Sequence, residues 1–304
     1  MQTSISGRIP GMKDYSLQTL PEYRGLPLLV LNIPQGRRTL PHRHDFYEIV
    51  LVRHGRSIHG RYDPNGVKSS YGVIRGDVFS IMPSEIHSYE ENDHFSIYNI
   101  IFTDELLEPR KNSLATLPAW DLLFSPPQVV RKRLHLMPGK MAGLEHLFHK
   151  IQQELELCRT QADYHFLNAE ILFYSCLIEL AGVPNELWSR MPSNIDLRIL
   201  RALQDMESEP LKEISVPKMA RECGMCYSGF VRKFHEIVGM PPVEYSIALR
   251  LDQVRGRLEN TRQPITEIAM ETGFFDAAHL NKTFQKWYGM TPSQYRSRNR
   301  QIRV

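Results

Sequence analysis

The segments "MARECGMCYSGFVRKFHEIVGMPPVEY" (Met219–Tyr245) and "IAMETGFFDAAHLNKTFQKWYGMTPSQY" (Ile268–Tyr295) are two versions of one pattern. Ala220 matches Ala269, and Gly224 matches Gly273 four residues later in each copy. Phe234 and Phe284 are each followed by a glycine, a proline and a tyrosine at the same spacing: Gly239, Pro242 and Tyr245, then Gly289, Pro292 and Tyr295. The copies differ by a single residue inserted between the first glycine and the phenylalanine.

The same physics runs through both. A small alanine lets two helices approach closely, and a glycine after the helix accepts the left-handed backbone of a tight turn. The next helix is expected to bury Phe230 with Phe234, or Leu280 with Phe284, at i,i+4 spacing. Its other face then carries Ser228, Arg232 and His235 in the first copy, and Ala278, Asn281, Lys282 and Gln285 in the second. From a helix lying in the major groove of double-stranded DNA, these groups reach base edges and phosphates. A solvated polar face would account for either copy alone; the duplication, with the same closure each time, favours DNA reading. Between the copies, "PPVEYSIALRLDQVRGRLEN" (Pro241–Asn260) reads as a long helix fixing the two units. The recognition helices would then enter successive major grooves, roughly 34 Å apart.

The charge distribution agrees. The 304 residues carry a formal charge of only +3. From Asp196 onward, however, 17 Lys or Arg face 13 Asp or Glu, and "YRSRNRQIRV" ends the chain with four arginines in nine residues. A basic end of this kind is the footprint of a polyanion-binding surface, although a solvated tail has the same composition. Apolar content of 42% and charged content of 23% are those of a soluble globular protein long enough for two domains. "MQTSISGRIPGM" lacks the basic and apolar regions of a signal peptide. "EILFYSCLIELAG" is too short and too interrupted by Glu170 and Glu179 to span a bilayer. The expectation is therefore a cytoplasmic protein without a membrane partner. Of four cysteines, Cys223 and Cys226 form a CxxC, a spacing used for zinc or redox chemistry. It has no second pair and falls inside the helix-turn pattern, so a structural role is expected.

The first half reads as β. "LLVLNI", "FYEIVLV", "YGVI", "DVFSIM" and "FSIYNIIF" are separated by the turn signals "HGR", "DPNG" and "RGD". Short strands at close spacing suggest an antiparallel barrel or jelly roll. After "RKRLHLMPG" the period becomes helical: Leu144, Leu147, Phe148, Ile151 and Leu155, then Leu167, Ile171, Leu172, Cys176 and Leu180. These two amphipathic helices could form a homodimer interface or a packed appendix. "GVPNELWSRMPSN" reads as a linker. The expected fold class is thus α+β and multidomain: residues 1–182 a β-barrel with two following helices, 183–194 a linker, and 195–304 an all-α domain with two helix-turn-helix units.

"PHRHDFYEIVLVRHG" (Pro41–Gly55) holds an HxHxxxE arrangement. On an extended chain His42, His44, Phe46 and Glu48 point to one face, so two imidazoles and a carboxylate converge. Such a set binds a divalent metal if a further ligand arrives from elsewhere, and His87 is the candidate. The same residues can line a metal-free polar pocket or bond to backbone. The pocket is the expected use, with no metal and no cofactor. Tyr89 and Tyr98 are further pocket candidates that also suit a core.

Over its C-terminal region the chain resembles AraC/XylS-type transcription regulators. "RLDQVRGRLENTRQPITEIAMETGFFDAAHLNKTFQKWYGMTPSQYR" is similar to the family pattern over its whole length, apart from Gly256 in the connecting helix; Gly229 in the first recognition helix is a second departure. The β domain resembles the cupin-type sensory domain of the same family. His42, His44, Glu48 and Gly55 match the first cupin motif and Gly76 and His87 the second, while Met82, Ser84 and Glu91 stand where Pro, Gly and Asn are usual. "HDFYEIVLVRHGRSIH" and "NIIFTDELLEP" most resemble the rhamnose-operon activators. The resemblance implies an activator of a carbohydrate operon, with DNA and RNA polymerase as partners. It also implies a small-molecule effector, a monosaccharide, in a pocket that includes His42, His44, Glu48, His87, Tyr89 and Tyr98. The alternative is a metal-dependent cupin enzyme with an accessory DNA-binding region.

Overall fold

Alternation of apolar and polar residues gives way to a helical period midway along the chain, and the architecture changes there too. The computed structural model describes residues 12–33, 39–63, 65–124, 132–183, 188–190, 192 and 195–302. Two compact units result: Met1–Leu136 with Lys140–Ile195, and Met137–Gly139 with the residues from Asp196 onward.

The first unit is built on β1 (Lys13–Tyr15), β2 (Leu28–Ile33), β3 (Thr39–His44), β4 (Tyr47–Tyr62), β5 (Lys68–Ile74), β6 (Asp77–Ile81), β7 (Ile86–Phe102), β8 (Lys132–His135) and β9 (Trp188–Arg190). The spine is the β4–β7 ribbon, paired antiparallel from Tyr47↔Phe102 to Tyr62↔Ile86. β6 and β5 extend it beside successive halves of β4, and β3 and β2 beside successive halves of β7. Among the described residues the sheet runs in the order β1-β3-β7-β4-β6-β8-β9 without closing, and only β1 pairs parallel, with β3. The expected barrel is therefore a cupin-like sheet wrapped around its own interior.

β4 and β7 are much longer than the apolar runs suggest. "HGR" is not a turn between strands but an irregular stretch inside β4, where the register with β7 shifts three times between Val52 and Ile58. Gly55 sits there at φ +67, and a Cβ on it would lie 2.0 Å from the carbonyl oxygen of Asp93, so glycine alone fits. Ser84 and Glu91 adopt φ +66 and +49. The positions where the cupin pattern uses glycine and asparagine thus keep the left-handed backbone with less suitable residues, a local strain.

Side-chain parity splits the core. Val50, Val52, Phe95 and Ile97 face the sheet's interior with Phe79 and Tyr89. Ile49, Leu51, Tyr98, Ile100 and Phe102 face the helices. That outer layer comprises the short α1 (Asp104–Leu107), α2 (Lys111–Leu114) and α3 (Trp120–Phe124), then α4 (Pro138–Leu157) and α5 (Tyr164–Ala181). α4 buries Leu144, Phe148, Ile151 and Leu155 as its period predicts. The expected set on α5 mixes two faces: Cys176 and Leu180 are buried, whereas Leu167 and Ile171 are exposed. Residues 188–190 of the expected linker form β9 and pair with β8, three residues being too few to carry a strand pattern. Residues 184–187, 191 and 193–194 of that segment lie outside the described residues.

The second unit contains α6 (Leu197–Ser208), α7 (Val216–Glu222), α8 (Tyr227–Val238), α9 (Pro242–Asn260), α10 (Ile265–Glu271), α11 (Ala277–Tyr288) and α12 (Pro292–Ile302). The duplication covers three helices each time. Tyr245 donates to Glu207 of α6 at 2.7 Å, and Tyr295 donates to Glu259 of α9 at 2.7 Å. An arginine from the same preceding helix also clamps each turn: Arg198 reaches the carbonyl of Cys223 and Arg250 that of Gly273, both at 3.0 Å. α8 and α9 run unbroken through Gly229 and Gly256. The basic C-terminal segment is helical as far as Ile302 rather than a tail.

Candidate functional site

The interior of the first unit gathers histidines. The chain is not extended from His42 to Glu48, because it bends at Asp45 and Phe46 between β3 and β4. Phe46 turns down to pack with Leu17 and Ile101. The convergence survives the bend. His44 stacks on Phe46 at 4.2 Å between ring centroids, and its Nε2 stands 3.8 Å from Oε1 of Glu48. From β7, His87 brings its ring to 4.1 Å from that of His42 and 5.2 Å from that of His44.

Backbone contacts set the tautomers. Nδ1 of His42 donates to the carbonyl of Leu40 at 2.9 Å, and Nδ1 of His44 to that of Phe46 at 2.7 Å. Each neutral ring therefore keeps its lone pair on Nε2. Burial lowers the pKa of all three imidazoles: His42 below its ordinary value, His44 to about 4, and His87, which also faces the other histidines, well below its ordinary value. Burial, reinforced by Glu85, pushes Glu48 up to about 8. At neutral pH the cluster is thus uncharged, with imidazole acceptors beside a carboxylic acid donor.

A cleft of about 500 Å³, its open mouth included, reaches these groups past Thr39 and Ser96. His42, Glu48, His87, Tyr89 and Asn99 line it. Oε2 of Glu48 and the hydroxyl of Tyr89 are buried without a hydrogen-bond partner, and the buried ring of His87 has only the backbone of Glu85 as such a partner. Leaving so many polar atoms unsatisfied is costly, which marks the cleft as a place for a polar guest. His44, Glu48 and His87 could also hold a cation, since one ligand atom from each lies within 4.8 Å of the others; His42 stands outside that group. Tyr98 does not join the cleft. It packs on Phe148 across the sheet, with Arg53 4.2 Å above its ring. His59, overlooked in the sequence, belongs to the cluster, its ring 5.5 Å from that of His87 and its Nδ1 2.6 Å from the hydroxyl of Tyr71.

The cluster makes stability depend on pH in two opposite ways. Glu48 holds its proton up to about pH 8, whereas an unfolded glutamate releases it near 4.5, so the stability it supports is lost as pH rises across that window. His44 stays neutral down to about pH 4 while an unfolded histidine takes a proton near 6.5, so its contribution is lost as pH falls between those values. His42 and His87 act in the same direction as His44. The cluster's support therefore peaks near pH 6.5, with a slope of about 1.4 kcal/mol per pH unit for each proton. In calorimetry from pH 5 to 8, Glu48→Gln should remove the alkaline decline and keep the acid one; melting curves that shift with pH as the parent's do would refute this assignment.

In the second unit the helix residues expected to read DNA are, apart from Asn281, exposed at the surface. Phe230, Phe234, Leu280 and Phe284 are buried; Ser228, Arg232, His235, Ala278, Lys282 and Gln285 are exposed, and Asn281 is half-buried. Gly224 and Gly273, at φ +62 and +75, make the turns into α8 and α11. Cys223 caps α7 and Cys226 begins α8, both as free thiols.

Comparison with known proteins finds a match for each unit. The AraC-like ligand binding domain matches residues 29–156, and a helix-turn-helix domain matches residues 219–298. The HTH-type transcriptional activator RhaS of Escherichia fergusonii is 29% identical over 269 residues, covering 87% of this chain and 89% of its own length. RhaR of Escherichia coli K12, also an HTH-type transcriptional activator, is 24% identical over 261 residues, covering 86% and 88%. The DNA-binding domain of AdpA, solved in complex with a target DNA, is 24% identical, with a TM-score of 0.33 over 35% of this chain and 96% of its own. A ligand-binding unit ahead of a duplicated DNA-reading unit, shared over most of its length with activators rather than enzymes, places the chain in the AraC family of DNA-binding transcription activators.

Proposed function

We propose that the activator responds to a monosaccharide held in the cleft of the first unit. The observation that carries this reading is the uncharged set of His42, Glu48, His87 and Tyr89 with unsatisfied polar atoms. Each sugar hydroxyl both donates and accepts; imidazole Nε2 atoms accept a hydrogen bond from it, and protonated Glu48 donates one to it. His44 supports the set from behind through Phe46 and Glu48. The resemblance to rhamnose-operon activators supports the same class of effector. A panel of monosaccharides in a thermal-shift assay tests it: at 100 times its dissociation constant the effector adds about 2.7 kcal/mol. No stabilisation by any sugar, or stoichiometric metal retained on His44, Glu48 and His87 through purification, would overturn it.

DNA is read by Ser228, Arg232 and His235 from α8 and by Ala278, Asn281, Lys282 and Gln285 from α11, with RNA polymerase as the partner that activation requires. The chain works as a homodimer in the cytoplasm. Tyr164, Leu167, Ile171 and Ile178 form an exposed apolar stripe along α5, spaced as a helix–helix seam requires. Leu167→Glu with Ile171→Glu should convert a dimer to a monomer in sedimentation equilibrium. A parent protein that is monomeric at tens of micromolar sinks the dimer.

A further inference from the structure

The residue that distinguishes the two helix-turn-helix copies can be located. After each first helix the turn closes with the same bond: Met225 N–H to the carbonyl of Ala220 at 2.8 Å, and Phe274 N–H to that of Ala269 at 2.9 Å. Met225 and Phe274 are therefore equivalent. In the first copy the next residue, Cys226, is already the N-cap of α8; in the second, Phe275 intervenes before the N-cap Asp276 of α11. From the caps onward the copies are again in step, Phe230 against Leu280 and Phe234 against Phe284. The inserted residue is Phe275.

Among the described residues nothing packs on its side chain. Phe274 is buried and meets His279 edge-on, while Phe275 is 90% exposed, more than any other large apolar side chain among the described residues. Its place is the entrance of α11. Asp276 fixes that end by accepting the His279 N–H at 2.7 Å, so Phe275 projects beside the first turn of the recognition helix. In helix-turn-helix proteins this end of the recognition helix contacts base edges. An aromatic ring there has one apolar feature to read in the major groove, the C5-methyl of thymine.

We propose that Phe275 packs on a thymine methyl at the edge of the second unit's half-site, and that the insertion gives this unit a preference the first lacks. The proposal rests on α11 lying in the major groove. The test uses the full-length protein and an operator selected from random-sequence duplexes. Each thymine of the half-site is replaced in turn by deoxyuridine, which removes only the methyl, and binding is measured by fluorescence anisotropy at fixed salt. At one position the parent should lose about three- to tenfold in affinity. Phe275→Ala should lose as much on the thymine operator and nothing further on that deoxyuridine operator, and Phe275→Leu should recover part of the loss. Because the side chain is exposed, Phe275→Ala should melt with the parent. Unchanged affinity in Phe275→Ala, or a loss independent of every thymine, overturns the proposal; affinity unchanged with transcription lost would assign the ring to a protein contact instead. Lys282→Ala run in parallel separates the failures: if it binds as the parent does, α11 is not in the groove, whereas if it alone weakens binding, only the role of Phe275 is wrong.

Discussion

Phe284→Ala should cost about 3–5 kcal/mol and unfold the second helix-turn-helix unit. Phe284 is fully buried, stacks on Tyr288 at 4.4 Å and meets Tyr295 edge-on at 5.5 Å. It joins α11 to α9, α10 and α12 through Leu251, Ile268 and Tyr295. A three-helix unit has little else to bury, and its stability is a small difference between large terms. Truncation removes apolar contact and leaves a cavity that the helices fill only in part. Urea melts of the full chain should show an early transition in Phe284→Ala, and operator binding should fall by more than a hundredfold. Lys282→Ala, altered only on the exposed face, should melt with the parent. A single transition at the parent's midpoint in Phe284→Ala would mean that the unit is held by other contacts.

Asp77→Ala should cost a similar 3–5 kcal/mol in the first unit. Asp77 is fully buried, accepts from Ile74 N–H at 2.9 Å and from His135 Nδ1 at 2.8 Å, and forms an ion pair with Arg133, whose side chain is also fully buried. Removing the carboxylate strands a guanidinium away from water, where an unpaired charge is far more costly than the pair is favourable. Replacing both partners by apolar residues should cost much less, so Asp77→Leu with Arg133→Met should be more stable than Asp77→Ala alone. If the double variant melts no later than the single one, the ion pair is not what Asp77 supplies.

The parts legible in the sequence were those written in local periodicity. The helix-turn-helix pair showed because helical spacing, a turn glycine and a closing tyrosine recur together, and each maps to a position in the fold. The His42, His44 and Glu48 convergence was read from alternation, which gave the right meeting point although the chain bends at Phe46. The same rule places Tyr98 elsewhere: it is next to the interior-facing Ile97 on β7 and so faces the helices. His59 was hidden because three register shifts separate it from Glu48 on one strand, and no count of alternation survives them. Arg133 and His135 lie in "RKRLHLMPG", which the sequence marks only as the place where the period changes. Only the pairing of β8 with β6 brings them to Asp77, and a contact across 58 residues leaves no local trace. The division of β4 and β7 into shorter runs failed for a related reason. Polar residues on a bulged ladder look like a turn until the partner strand is known.

Whether ligand in the first unit governs DNA reading by the second is decided by one binding experiment. Operator selected from random duplexes is titrated with the full-length protein at fixed salt, with and without each monosaccharide that stabilises it. At least one such sugar should change operator affinity several-fold, and Arg232→Ala and Lys282→Ala should each weaken binding by about 1–3 kcal/mol. Operator affinity identical with and without every stabilising sugar, or both substitutions binding as the parent does, would contradict it.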